Sequence, residues 1–329
     1  MGHDLTDLIS MPVPDRQAIE AAHQRISPYI RHTPVMTSST LNQLFSTELF
    51  FKCENFQKVG AFKARGATNT VLSLSPEQLA NGVATHSSGN HAQALSWAAR
   101  LVGARAHIVM PADSSRVKVE AVRSYGGEIT FCEPNLASRE STLREILDRT
   151  GATEVHPYND PRIIVGQATA ARELLSETSP LDLILAPVGG GGLLSGTALS
   201  AHYFGKDTRV IAVEPAGADD AQRSFRRKSF IPSINPHTIA DGLRTSLGSV
   251  TFPIILRYVH DIVTVDDEAI IRAIRYLWER MKIVAEPSAA VPLAAVMEKR
   301  VDVAGKRTGI ILSGGNVDLD ALPWYKNHE

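Results

Sequence analysis

Short apolar runs that end in small or polar residues alternate along the chain with stretches whose apolar positions recur every three to four residues. Runs at 49–53, 82–85, 105–110, 127–132, 182–188, 209–214 and 308–312 have the length of buried strands. Each lies near a loop of Gly, Ser, Asn or Pro. Strands that alternate with helices specify parallel sheets covered by helices on both faces, so the expected class is α/β. At the carboxyl ends of such strands, loops and helix N-termini line a crevice where ligands bind. Behind Asp266 and Asp267, the residues Ile271, Ile274, Trp278 and Met281 recur at helical spacing and predict one amphipathic scaffold helix. The strand–helix series from about Gly82 to Val155 reads as a unit inserted between two halves of a larger one. The expected division is 1–78 with 156–329 as a large domain and 79–155 as a small one.

The strongest chemical signal is Gly189-Gly190-Gly191-Gly192, which follows an apolar run and opens a helical stretch through Leu193 to Gly196. Glycines let the backbone approach a phosphate closely, and the free N–H groups of a first helical turn attract the anion. A plain turn does not need four flexible residues in a row. The spacing Gly190, Gly192, Gly196, with Glu214 at the end of the next strand, also resembles a dinucleotide fingerprint. Against that reading, a dinucleotide loop belongs in the first βα unit of its domain. Lys63 sits among small residues and aromatics beside Arg65, after the strand at 49–53. Most lysines are solvated surface cations, and only a desolvated one becomes a nucleophile at neutral pH. Together with a phosphate cradle, such a lysine suggests pyridoxal phosphate.

Composition narrows the partners. The 34 Lys and Arg residues balance 35 Asp and Glu, leaving no basic surplus for nucleic acid or a membrane surface. With 43% hydrophobic and 21% charged residues, the chain has the composition of a folded globular protein. Its two cysteines, Cys53 and Cys132, have no partner at metal or redox spacing, which indicates a cytoplasmic protein. No apolar run approaches the ~20 residues of a membrane span. Met1, Gly2 and Thr6 formally fit an N-myristoylation pattern, but so short a motif is read as coincidence.

Four motifs occur in an order that resembles the fold-type II pyridoxal-phosphate enzymes: Ala61-Phe62-Lys63-Ala64-Arg65-Gly66, Ser87-Ser88-Gly89-Asn90-His91, the glycine cradle, and Ser313-Gly314-Gly315-Asn316. Within that group the chain is similar to serine racemases and catabolic serine/threonine dehydratases, from about Ile26 to Asp318. The resemblance implies a tryptophan-synthase β-like fold: two open, twisted, mostly parallel sheets flanked by helices, a large lobe with an inserted small one, in a homodimer. It implies that Lys63 carries the cofactor covalently. Gly189, Gly190, Gly191, Gly192 and Leu193 are then expected to hold the phosphate, Asn90 to contact the ring hydroxyl, Ser313 to meet the pyridine nitrogen and Phe62 to pack on the ring. A neutral hydroxyl does not hold that nitrogen protonated, so the electron sink is weak and suits β-elimination. Ser87, Ser88, Asn90, His91 and Arg139 correspond to substrate contacts. In the racemases the second serine of the loop, here Ser88, is an acid/base group on the face opposite the lysine, so some racemase activity is expected. Glu214, the Ala218 carbonyl and Asp220 correspond to a divalent-cation site whose hard oxygens suit Mg²⁺ or Ca²⁺, or Mn²⁺. On spacing alone, two acids in a loop are usually solvated.

The expected activity is thus dehydration and deamination of a β-hydroxy amino acid such as L-serine or L-threonine to a 2-keto acid and ammonia. A serine racemase and a 3-hydroxyaspartate dehydratase are the alternatives, with an NAD(P)-dependent dehydrogenase more remote. Tyr158 stands where racemases commonly carry a smaller polar residue. Arg162 and Arg244 are cations of unassigned direction, and either one in the pocket offers a fork for a second carboxylate.

Overall fold

The computed structural model describes residues 11–87, 89–114 and 116–324. Ser88 and the residues of the myristoylation pattern lie outside these. The strands are β1 (Val35–Met36), β2 (Glu48–Cys53), β3 (Val83–His86), β4 (Ala106–Pro111), β5 (Gly127–Cys132), β6 (Thr153–Glu154), β7 (Leu183–Pro187), β8 (Arg209–Pro215), β9 (Asp261–Val265) and β10 (Arg307–Leu312). One sheet has the order β1-β2-β10-β7-β8-β9, parallel except for β1; the other has the order β5-β4-β3-β6 and is wholly parallel. Both belong to the expected α/β class. Central strands covered on two faces need apolar side chains throughout, and β4 and β7 are buried at every position.

The helix Pro287–Met297 packs against four strands of the larger sheet, β7 to β10. On another side, the helices Pro161–Thr178 and Gly192–Phe204 lie so close that a Cβ at Gly196 would come 2.6 Å from the Ala168 backbone nitrogen. Gly166 meets Gly66 of the helix Lys63–Leu72 in the same way, its ideal Cβ 2.6 Å from the Gly66 Cα. Caps fix several helix starts: Asp160 accepts from Arg162 N ahead of Pro161, and Asp266 accepts from Ala269 N. The helix expected behind Asp266 runs Asp267–Tyr276 and continues as a π turn over Leu277–Met281. Its inward face is therefore Ala269, Ile270, Ala273, Ile274, Leu277 and Met281, while Ile271 is only partly buried.

Behind Lys63 lies a buried ionic cluster. Arg65, Lys52 and Glu54 are fully buried and Glu173 is nearly so. The Arg65 guanidinium donates to both carboxyls, at 2.7 and 2.8 Å to Glu54 and 2.8 and 2.7 Å to Glu173. Lys52 Nζ lies 2.8 Å from Glu173 and donates to the Thr33 carbonyl at 2.7 Å. Two cations thus meet two carboxylates, and the helix that begins at Lys63 is tied to the helix Pro161–Thr178 two residues after the lysine.

Candidate active site

Lys63 is the first residue of its helix, and its Nζ donates 2.7 Å to the Pro157 carbonyl. Burial lowers its pKa from 10.5 to about 8, opposed by the negative field of Glu286. Ala61 and Gly314 form an antiparallel bridge and Phe62 N donates to the Ser313 carbonyl at 3.0 Å. That pairing brings the buried Ser313 alongside the lysine. The Phe62 ring lies beneath the amine, with Nζ 5.2 Å from its centroid.

Opposite, β7 ends at the glycine loop and the helix Gly192–Phe204 begins. Gly191 has φ +89°, a conformation glycine adopts freely. Gly189, Gly190 and Gly191 donate no backbone hydrogen bond to any described residue, and the first turn of the helix after them leaves its N–H groups free. Thr251 Oγ1 steadies the loop by donating to the Gly190 carbonyl at 2.8 Å. A Cβ on Gly189 would meet the Leu243 Cα at 2.9 Å, and one on Gly190 would meet the Tyr158 ring at 2.3–2.4 Å. The cradle is therefore walled by residues 242–245 on one side and by Tyr158 on the other.

Asn90 opens the helix Asn90–Leu101, at the carboxyl end of β3. Its Nδ2 donates to both Glu286 oxygens at 2.9 and 3.1 Å, and its Oδ1 accepts from Asn316 Nδ2 at 2.8 Å. His91 is buried, its Nε2 3.0 Å from the Val155 carbonyl and its Nδ1 without a partner; burial and the nearby Lys63 charge take its pKa to about 3. The Ser87 hydroxyl turns back on its own loop and accepts from Gly89 N at 3.3 Å. His156 accepts from the backbone N–H groups of Tyr158 and Asn159 through Nδ1, at 3.2 and 2.9 Å. Burial, His86 and Lys63 lower its pKa to about 4, so the imidazole is neutral.

The arginines divide clearly. Arg162 grips Asp160 at its own helix start, and Arg244 donates to the Thr238 carbonyl. Arg139 has no ion-pair partner among the described residues, and its Nε is buried without a hydrogen bond. Its charge is felt at His86, at the end of β3, where burial first and then Arg139 lower the pKa.

A family model described as pyridoxal-phosphate dependent enzyme matches residues 26–314. The chain belongs to this family. It is 51% identical over 314 residues to the beta-hydroxyaspartate dehydratase of Paracoccus denitrificans, covering 95% of this chain and all of that protein. It is 49% identical to a serine racemase of Arabidopsis thaliana, over 94% of this chain and 95% of that one. The crystal structure of serine racemase from Dictyostelium discoideum superposes with a TM-score of 0.89 at 45% identity, covering 93% of this chain and 99% of that one. The fold is that of the type II pyridoxal-phosphate enzymes.

The residues fit the family's cofactor. A desolvated amine, a loop of free N–H groups crowded against any Cβ, and a buried neutral serine are the groups it needs, and the strands that end at the last two, β7 and β10, are neighbours. The dinucleotide reading of the loop fails here: Glu214, its expected ribose-binding acid, is fully buried and already accepts from Ala221 N and Gln222 N at 3.0 and 2.9 Å.

That same carboxyl lies against a second one. Asp220, which starts the helix Asp220–Arg227, is fully buried; among the described residues neither oxygen has a partner of full hydrogen-bond geometry, and the nearby Ser233 hydroxyl only partly offsets its burial. Burial raises Glu214 to about 9 and Asp220 to about 6. Among the described residues no group of three or more His, Cys, Asp or Glu side chains converges on a point, so a cation here depends on backbone oxygen as well. No helix is long and apolar enough to cross a membrane.

Three contributors escaped the sequence reading: the Pro157 carbonyl, Glu286 and Asn316. Only Asn316 lay within a motif, and Glu286 carried no signal beyond preceding a proline at a helix start.

Proposed function

We propose that this chain is a pyridoxal-phosphate-dependent lyase that dehydrates 3-hydroxyaspartate to oxaloacetate and ammonia. The observation that carries this choice of substrate is Arg139, a cation without a carboxylate partner among the described residues, whose charge reaches His86 at the end of β3, next to Ser87. The similarity to a beta-hydroxyaspartate dehydratase supports it. When bound, pyridoxal phosphate supplies a sink for the electrons of the breaking Cα–H bond. Lys63, freed from Pro157 and neutral above about pH 8, accepts the Cα proton. The free N–H groups at the start of the helix Asn90–Leu101 and the Ser87 hydroxyl hold the α-carboxylate, and Arg139 holds the distal one. Ser313 would offer the ring nitrogen a hydrogen bond without a charge, which would weaken the electron sink and suit elimination. The released enamine tautomerises and takes up water to give the keto acid and ammonia.

Lys63, Ser88, Phe62, Asn90, His91, Gly189 to Gly192, Leu193 and Ser313 keep the roles the resemblance implies. Glu214, the Ala218 carbonyl and Asp220 would hold Mg²⁺, Ca²⁺ or Mn²⁺, whose positive charge suits two carboxyls buried against each other. Residues 79–155 form a small unit that closes over the substrate, in a cytoplasmic homodimer. A second reading, serine racemase, is favoured by the similarity to enzymes of that name.

The test is to incubate the cofactor-loaded protein with L-serine, L-threonine and the threo and erythro forms of 3-hydroxyaspartate while following ammonia, keto acid and enantiomer content. The expected result is oxaloacetate from one hydroxyaspartate form at the highest kcat/KM, with Arg139→Ala raising KM for it by roughly ten-fold or more. Faster turnover of serine overturns the choice of substrate. Opposite enantiomer outrunning ammonia makes the racemase reading primary.

A further inference from the structure

Asn90 lies in the part of the chain that builds the four-stranded sheet, and Glu286 precedes the helix that packs on the six-stranded one. Their hydrogen bond joins the two across the site. The geometry also decides which way the Asn90 amide faces. Asn316 Nδ2 donates to the Val59 carbonyl at 2.7 Å, and a carbonyl only accepts, so that nitrogen is a donor towards Asn90 as well. The Asn90 oxygen must therefore be the atom facing Asn316. On the other side an ionised carboxylate also only accepts, which places the Asn90 nitrogen towards Glu286. Both neighbours demand one orientation, and when one N–H of Asn90 is shared between the two Glu286 oxygens, the other is left for a ligand.

Space has been made for this carboxyl. Glu286 is 5% exposed, and a Cβ on Gly314 would come 2.6 Å from its Oε1. The groups that face it are Lys63 from the helix Lys63–Leu72, Asn90, Lys118 of the helix Arg116–Ser124, and Asp241, to which Lys118 is paired. Burial and then Asp241 raise its pKa to about 7, with Asn90 and Lys118 opposing.

We propose that Glu286 is a positioning residue for the cofactor: by fixing the Asn90 amide, it makes Asn90 offer an N–H rather than a carbonyl to the ring oxygen of pyridoxal phosphate. The inference rests on the assignment of Asn90 as the ring-oxygen contact, and the test separates the two.

Cofactor-free Glu286→Gln, Glu286→Ala, Gly314→Ala and Asn90→Ala proteins are titrated with pyridoxal phosphate for Kd. The ratio of long- to short-wavelength absorbance bands of each loaded protein is then recorded against pH, without substrate. In the unsubstituted protein the ratio changes with a midpoint near 7. Glu286→Gln has the same shape but no ionisation, and it loses that midpoint while binding the cofactor. Glu286→Ala weakens Kd by roughly ten-fold, the loss of one charge-assisted hydrogen bond. Gly314→Ala, which displaces the carboxyl without removing it, shifts the ratio in the same direction. A Glu286→Gln protein with the unsubstituted protein's Kd and midpoint, set beside an Asn90→Ala protein that has lost both, overturns the role of Glu286 alone. An Asn90→Ala protein with unchanged Kd and ratio overturns the Asn90 contact and the proposal with it. A purely structural role for Glu286 would change unfolding and leave the midpoint in place.

Discussion

Replacing Gly190 by alanine tests how the phosphate cradle is built. The added methyl would stand 2.3–2.4 Å from the Tyr158 atoms Cγ, Cδ1 and Cε1, whereas carbon atoms rest about 3.5–4.0 Å apart. The ring must therefore retreat by more than about 1 Å, and its exits are blocked. On one side it meets the His156 ring edge-on at 4.6 Å, and His156 is pinned by two backbone N–H groups. On the other, the Tyr158 backbone lies against Gly192, whose ideal Cβ would be 3.1 Å from the Tyr158 Cα. Overpacking of this kind costs about 1–3 kcal/mol. Without a ligand the loop relaxes away from the ring, but phosphate binding needs the loop N–H groups gathered, so the cost falls on binding. At about 1.4 kcal/mol per decade, pyridoxal phosphate should bind roughly 5- to 150-fold more weakly. Titration of the cofactor-free protein, followed by absorbance, measures this directly. Tyr158→Ala removes the obstacle, so the double variant should show a coupling of about 1 kcal/mol or more in the restoring direction. Unchanged affinity in Gly190→Ala, or a double variant no better than Gly190→Ala, refutes the reasoning.

Three further outcomes follow from the geometry. Arg65→Met leaves Glu54 and Glu173 in the protein interior with Lys52, and the His23 and His32 rings 3.8 Å from Glu173, to compensate, and should cost about 3–5 kcal/mol in urea unfolding of the cofactor-free protein; a loss under about 1 kcal/mol would show that the carboxyls find other partners. The cofactor-free protein should take up pyridoxal phosphate faster as pH rises, with a midpoint near 8, because burial lowers the Lys63 pKa and only the neutral amine attacks; a midpoint near the ordinary lysine value of 10.5 contradicts this. After chelation, Mg²⁺, Ca²⁺ or Mn²⁺ should raise the thermal midpoint, by about 2.7 kcal/mol of stability at a hundred times Kd, and Asp220→Ala should abolish the response; stability indifferent to all three ions removes the cation site.

The elements legible in the sequence were those whose chemistry is local. β4 and β7 show themselves because both faces are covered and every residue but His107 of β4 is apolar. The two-residue strands β1 and β6 are too short to carry a period, and β9 follows an apolar helix, Thr251–Tyr258, that blurs its start. Of the four positions expected on the inward face of the helix after Asp266, Ile274 and Met281 lie there, while Ile270 and Leu277 take the core places of the adjacent Ile271 and Trp278, because neighbouring apolar residues leave the phase of the face open in the side-chain pattern. Lys63 and the cradle stood out because a lysine among small residues and four successive glycines are uncommon. Glu286 did not, since its meaning comes from Asn90, 196 positions away. Arg65 was noticed only as a neighbour of the lysine; its two carboxyl partners are brought in by folding.

β10 is the last strand among the described residues, yet it lies inside its sheet, between β2 and β7. During synthesis Glu48 emerges long before Arg307, its partner 259 positions later. Throughout that interval β2 and β7 present bare edges able to pair with other nascent chains. The strands β3 to β6, by contrast, all come from one contiguous stretch and can close early. Ser313 immediately follows β10, so a nascent chain has no complete cofactor site until the residues beyond Leu312 have emerged. Free pyridoxal phosphate can therefore stabilise only chains in which β10 is already paired, and it offers the earlier ones no protection.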